Sequence, residues 1–116
     1  TILFIAHDLS IVKHISDRLF VMYLGSLVEV SPKQSIYNNP VHLYTKVLLN
    51  VIPIADPQLA RQRTIEIEKS ELPSPINPSK GCAFHTRCKI ATDICKKEHP
   101  SLISIKDDVY VACHNI

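Results

Sequence analysis

All four cysteines of this 116-residue chain fall between Cys82 and Cys113, and none in the 81 residues before them. They read Gly81-Cys82-x5-Cys88-x6-Cys95-x17-Cys113-His114, in a chain with two glycines and no tryptophan. Thiols gathered so tightly point to one local purpose: a metal or cluster site, a pair of disulfides, or small buried hydrophobes. The rest of the chain then decides what that site is attached to.

Length allows one ordinary domain, or the end of a larger one. Hydrophobic residues make up 46% of the sequence, enough for a core, and eight prolines against two glycines imply stiff, extended connections. A formal charge of +2 is too small and too evenly spread for a nucleic-acid surface. No run approaches the length needed to span a bilayer, and no secretory leader is visible. The chain opens on Thr1-Ile2-Leu3-Phe4-Ile5-Ala6 without methionine and reads as a piece of a longer protein. Without a leader in view, metal chemistry is favoured over structural disulfides.

Taken in order, Ile2 to Ala6 has the unbroken apolar pattern of a strand buried on both faces of a parallel sheet. Asp8 is an expected N-cap for a helix carrying Leu9, Ile11, Val12 and Ile15. Leu19 to Leu24, Gly25-Ser26 and Leu27 to Val30 predict a hairpin. Ser31-Pro32-Lys33-Gln34 reads as a capping box with proline at the first helical position, and Asn38-Asn39-Pro40 stops that short helix. Tyr44, Val47, Leu48 and Val51 predict one apolar face of a helix from about His42 to Val51, ended by Pro53 and Pro57. Residues 54–80 mix charges and prolines as an extended arm, with Pro73, Pro75 and Pro78 forcing the backbone open. A helix around Lys89 to Lys97, a break at Pro100 and a strand around Val109 to Cys113 complete the reading.

Several of these stretches together resemble one family. His7-Asp8-Leu9-Ser10 after an apolar strand is similar to the switch-histidine loop of ABC transporter ATPases. Asp17-Arg18-Leu19-Phe20-Val21-Met22-Tyr23-Leu24-Gly25 with Leu27-Val28-Glu29 resembles the strand pair that closes those ATPase domains. Asn39-Pro40, His42-Leu43-Tyr44-Thr45-Lys46 and Leu48-Leu49 look like a helix peculiar to the oligopeptide/dipeptide importer branch. Leu43 departs from it, since the branch usually has proline there. Ile52-Pro53, Pro73-Ser74-Pro75-Ile76-Asn77-Pro78, Gly81-Cys82-x-Phe84-His85-x-Arg87-Cys88, Cys95, Pro100-x-Leu102 and Val111-Ala112-Cys113-His114 match that branch's C-terminal extension.

The resemblance implies an α/β to α+β fold: the C-terminal end of a P-loop ABC ATPase domain (1–53), the arm (54–80) and a cysteine-rich C-terminal segment (81–116). It implies an ATP-binding subunit that energises peptide import from the cytoplasmic face of the cell membrane. Its partners would be transmembrane permease subunits, a second ATP-binding subunit and, indirectly, a peptide-binding protein. ATP and Mg2+ would serve the intact protein, with His7 reaching the γ-phosphate, where a donor stabilises charge that develops in phosphoryl transfer. No phosphate loop or Walker B carboxylates occur in this chain, so it is expected neither to bind ATP tightly nor to hydrolyse it alone.

The resemblance also implies an iron–sulfur cluster on Cys82, Cys88, Cys95 and Cys113. Zinc sites bring ligands in closer pairs, and the usual ferredoxin spacings are absent. If Cys88 and Cys95 share a helix, their Cα atoms stand roughly 10.5 Å apart, too far for a disulfide. That spacing leans towards a [4Fe–4S] cluster, with Zn2+ or disulfides still open. His85 and His114 are expected to make local hydrogen bonds, and Arg87 to offset thiolate charge or be solvated. A free-standing iron–sulfur or zinc-stabilised interaction module is the competing reading, and the isolated piece is expected to self-associate through unpaired strands.

Overall fold

In the computed structural model, which describes residues 2–7, 9–52 and 79–116, the organising element is a four-stranded antiparallel sheet in the order β1-β2-β4-β3. β1 is Arg18–Tyr23, β2 Ser26–Pro32, β3 Ile103–Lys106 and β4 Val109–Val111. Around it lie the helices α1 (Leu9–Ile15), α2 (Lys33–Asn38), α3 (Leu43–Asn50) and α4 (Asp93–Lys97), with a 3-10 turn at His85–Arg87. The fold is thus a small α/β arrangement. Asp8, Pro53, Pro57 and all but the last two residues of the expected arm lie outside the described residues.

The hairpin forms where the sequence places it, one residue earlier at its tip. Leu24 and Gly25 make the turn with φ of 45° and 80°. Ser26 belongs to β2, paired with Tyr23. Two successive positive φ values match the right-handed twist of the flanking strands, and glycine takes the second without a Cβ penalty. β1 alternates strictly, burying Leu19, Val21 and Tyr23 while Phe20 and Met22 stay exposed. A register shift beside Val21 lets Val28, Glu29, Val30 and Ser31 of β2 all be buried.

Strands from both ends of the sequence share this sheet. β4 pairs with β2 through Glu29↔Val111 and Val30↔Tyr110, and the Ala112 amide donates to the Val28 carbonyl at 2.9 Å. Arg18 reaches from β1 to Asp108 in the β3–β4 turn at 3.4 Å. The core cluster mixes hairpin residues (Leu19, Val21, Tyr23, Val28) with Ile36, Leu49, Cys82, Phe84 and Cys95.

Four expectations are corrected. Ile2 to Ala6 forms no strand, and Ile2, Leu3 and Ile5 are 84–91% exposed. A doubly buried strand needs neighbours on either side, and the four strands described here pair only with one another. The capping box does not form either. Ser31 stays in β2 opposite Leu19, so proline becomes the N-cap of α2 and no side chain caps it. In α3 the buried residues are Thr45, Val47 and Leu49, and Val51 is 76% exposed. Val47 is buried as expected, and Tyr44 and Leu48 pack part-buried against the core, so the expected face holds as far as Leu48 and fails at Val51. Last, the helix expected from Lys89 starts only at Asp93, while Lys89 and Ile90 form a turn closed by the Ala91 amide on the Cys88 carbonyl at 3.1 Å.

The start of α3 is built on two buried polar side chains. Glu29, 1% exposed, accepts the Val41 and His42 amides at 3.1 and 3.0 Å. His42, 3% exposed, caps α3 by accepting the Tyr44 amide on Nδ1 at 3.1 Å. Burial, with the Lys46 charge adding, lowers its pKa from 6.5 to about 4. Protonation would also fill the nitrogen that caps the helix.

The unfolded chain therefore takes up this proton near pH 6.5 and the folded chain only near 4. Stability is whole above 6.5 and falls as the pH drops through that window. The expected loss is roughly 3 kcal/mol at about 1.36 kcal/mol per unit. Urea unfolding across pH 4 to 7, with His42→Gln as control, measures it. A pH-independent midpoint, or the same slope in the control, would contradict the assignment.

Candidate functional site

The four thiols sit where a turn, a short helix and the chain's end converge behind the hairpin. Cys82 and Cys95 are buried, Cys88 and Cys113 half-buried, and all four are free thiols, so no disulfide joins them. The Cys82 amide donates to the Cys95 carbonyl at 2.8 Å, locking the first loop to α4. Gly81 makes this contact possible: a Cβ there would strike the Cys95 carbonyl and lie 2.7 Å from the Lys96 oxygen. Here glycine is required by closeness of backbones, not by a special φ.

Donors stand against two of the sulfurs, while the Phe84 and Ile90 backbone amides only temper the upward shift of Cys82 and Cys88. The Thr92 hydroxyl lies 3.4 Å from the Cys95 sulfur, and the Asn115 side-chain amide donates to the same sulfur at 3.6 Å. The Asn115 backbone amide donates to Cys113 at 3.4 Å. Such donors stabilise a thiolate over a thiol.

Burial pushes the Cys82 and Cys88 thiols up, and the other cysteines' charge adds to both. Burial also acts upward on Cys95, but the Thr92 and Asn115 hydrogen bonds outweigh it and leave its pKa lowered. The four groups thus sense one another electrostatically. Among the described residues, however, no group of three or more His, Cys, Asp or Glu is arranged to hold a metal ion.

The four thiols bear on one another electrostatically, but no three of them form a group that could hold a metal, and the geometry used to weigh them changes. Cys88 precedes α4 and Cys95 lies within it, so the two-turn separation of about 10.5 Å does not apply. His85 donates Nδ1–H to the Cys82 carbonyl at 2.8 Å, and His114 bonds the Glu98 carbonyl at 2.9 Å, the local roles expected of both. Arg87 is half-buried, and its charge bears on the Tyr44 hydroxyl. His7 stands exposed on a bend before α1, outside this assembly.

Sequence reasoning missed three residues that hold the site. Phe84, 1% exposed, lies 5.2 Å from Tyr23, 5.4 Å from Tyr44 and 5.8 Å from His42 between ring centroids. It plugs the thiol segment into the hairpin and α3, and as the segment's one phenylalanine it was a detectable signal. Asn115 bonds two cysteine sulfurs and the Ile90 carbonyl, closing the chain's end over the site. Glu29 was visible as a lone charge inside the apolar run of β2.

Residues 28–95 match the family described as "Oligopeptide/dipeptide transporter, C-terminal region". The chain is 53% identical over 102 residues to the oligopeptide transport ATP-binding protein OppF of Escherichia coli, covering 88% of this chain and 30% of that protein. It is 49% identical over 113 residues to OppF of Haemophilus influenzae, covering 97% and 34%. It is 49% identical over 114 residues to the oligopeptide transport ATP-binding protein AppF of Bacillus subtilis, covering 98% and 35%. The chain spans about a third of the length of these curated relatives.

Proposed function

Because the chain belongs to the oligopeptide/dipeptide transporter C-terminal region family, we propose that it is the C-terminal part of an ATP-binding subunit that couples ATP hydrolysis to peptide uptake. The observation that carries this reading is the match at about half identity along 97–98% of the chain to relatives named as oligopeptide transport ATP-binding proteins. ATP and Mg2+ are bound by the intact subunit. Its partners are transmembrane permease subunits, a second ATP-binding subunit and, through the permease, a peptide-binding protein. It works at the cytoplasmic face of the membrane; no helix among the described residues is long and apolar enough to cross one. In the chain, 1–53 ends the ATPase domain and 81–116 returns to close on the hairpin.

His7 is the residue of this chain that meets nucleotide. It is exposed, and an imidazole N–H directed at the γ-phosphate stabilises charge as the phosphoryl group transfers. In the intact transporter, His7→Ala is expected to lower peptide-stimulated ATP hydrolysis about a hundredfold or more while ATP binding persists. Phosphate release and nucleotide titration measured side by side decide it. Hydrolysis at the parent rate would remove His7 from the mechanism.

For the thiols, we propose a cluster held by Cys82, Cys88, Cys95 and Cys113. Thiols that bear on one another electrostatically, with amide donors on the Cys95 and Cys113 sulfurs, suit thiolate ligation. When bound, a [4Fe–4S] group would supply a rigid four-point crosslink and a redox-active centre. The chain's own residues hold the sulfurs in place through Thr92 and Asn115. Intact subunit purified without oxygen should contain four iron and four sulfide per chain, by the stoichiometry of a four-iron cluster. Iron-free protein with four reactive thiols would end that reading and leave the transporter assignment standing. A free-standing interaction or redox module finds no support, since the segment shares its sheet and core with the hairpin.

A further inference from the structure

Beyond Ala112, whose amide is bonded to the Val28 carbonyl, the chain leaves β4 and runs along α4 as residues Cys113 to Asn115. Side chains tie it to both ends of that helix. His114 donates Nε2–H to the Glu98 carbonyl, at the C-cap, at 2.9 Å. Asn115 works at the other end. Its Nδ2 donates to the Ile90 carbonyl at 2.5 Å and to the Cys95 sulfur at 3.6 Å, and its Oδ1 accepts the Thr92 hydroxyl at 3.4 Å.

Thr92 gives up a helix cap to this contact. It holds the N-cap position of α4, where a threonine hydroxyl ordinarily accepts a helix amide. Here it makes no such bond, and its hydroxyl stands 3.4 Å from both Asn115 Oδ1 and the Cys95 sulfur. Cys95 is 4% exposed, while Ile94 and Lys96 on either side of it are exposed. The side-chain amide of Asn115 lies directly against its sulfur. Cys113, His114 and Asn115 are themselves only half-buried, and lifting them requires no strand of the sheet to unpair. Segments held in this way open at free energies well below that of the whole fold.

We propose that Cys113–Asn115 is a strap that opens by itself and gates Cys95, admitting soft metal ions and small thiol-directed electrophiles when Asn115 is released. With the strap down, the sulfur is covered. With it up, β4 stays paired to β2 and the thiol face of α4 is bared. The gate follows from the hydrogen bonds among Thr92, Cys95 and Asn115, and it rests neither on the ATP reading nor on what the thiols hold.

The test uses the intact ATP-binding subunit, kept reduced and treated with chelator so that its thiols are free whether or not they carried metal. Iodoacetamide is the probe: the sulfur displaces iodide, and peptide mass spectrometry reads the rate at each cysteine. Asn115→Ala is expected to speed alkylation of Cys95 roughly tenfold or more, with Cys82 still slow and the thermal midpoint close to the parent's. Asn115→Gln, which keeps an amide, should recover part of the protection. In the parent, Cys95 alkylation should be nearly flat in sub-denaturing urea, because a local opening exposes little surface. A Cys95 rate that Asn115→Ala leaves unchanged, or raises only in step with a fallen midpoint, would overturn the proposal. So would a parent rate that climbs with urea as steeply as global unfolding does.

Discussion

Phe84→Ala is expected to cost the fold about 3–5 kcal/mol, the range for truncating a fully buried phenylalanine. The size follows from where the ring sits. It is 1% exposed and touches Tyr23 of β1, Tyr44 of α3 and His42 at its N-terminus, so one cavity opens toward three elements at once. All three of those contacts are edge-on or tilted ring pairs, which add to the area term. Denaturant unfolding of parent and variant measures the loss. Phe84→Leu, which refills most of the space, should recover about half of it. A variant within about 0.5 kcal/mol of the parent, the size of an ordinary surface change, would mean that Phe84 does not anchor the thiol segment.

Glu29→Ala is the second large effect, expected at about 3–6 kcal/mol from two hydrogen bonds to a charged group at about 1.5–3 kcal/mol each. The carboxylate is buried on β2 and spans the Val41 and His42 amides. Removing it orphans two donors at the start of α3, next to the residue that caps the helix. Glu29→Gln keeps one acceptor oxygen and should lose about half as much. Equal stability of the Gln variant and the parent would show that charge at this point is immaterial. Equal losses in Gln and Ala would show that the charge and the second acceptor oxygen, and not shape, are at stake.

The local elements could be read from sequence because their causes are local. Alternating apolar residues and a glycine beside the turn specify β1 and β2, and Asn39-Pro40 stops α2, all within a few residues. Long-range closure was not legible. Nothing in Val109-Tyr110-Val111 says that it adds to β2 rather than to another strand, because a three-residue strand carries too little pattern to name its neighbour. The same limit explains Ile2 to Ala6, whose apolar run reports what it could bury and not whether neighbours exist. The thiols were legible as a group from count and spacing, but their geometry was not. The last helix, α4, starts late, at Asp93, which leaves Cys88 in a turn instead of a helix.

Amide hydrogen exchange on the intact subunit tests most directly whether the thiol segment and the hairpin are one folded unit. The informative amides are those of Ala112, bonded to Val28, and of Cys82, bonded to Cys95, read against hairpin amides of β1 and β2. The account predicts that they open with the same free energy and that Phe84→Ala lowers all of them together. Exchange of the Ala112 and Cys82 amides at a much lower free energy, with the hairpin still protected in both parent and variant, would contradict it. That result would make the thiols a separate appendage to the hairpin.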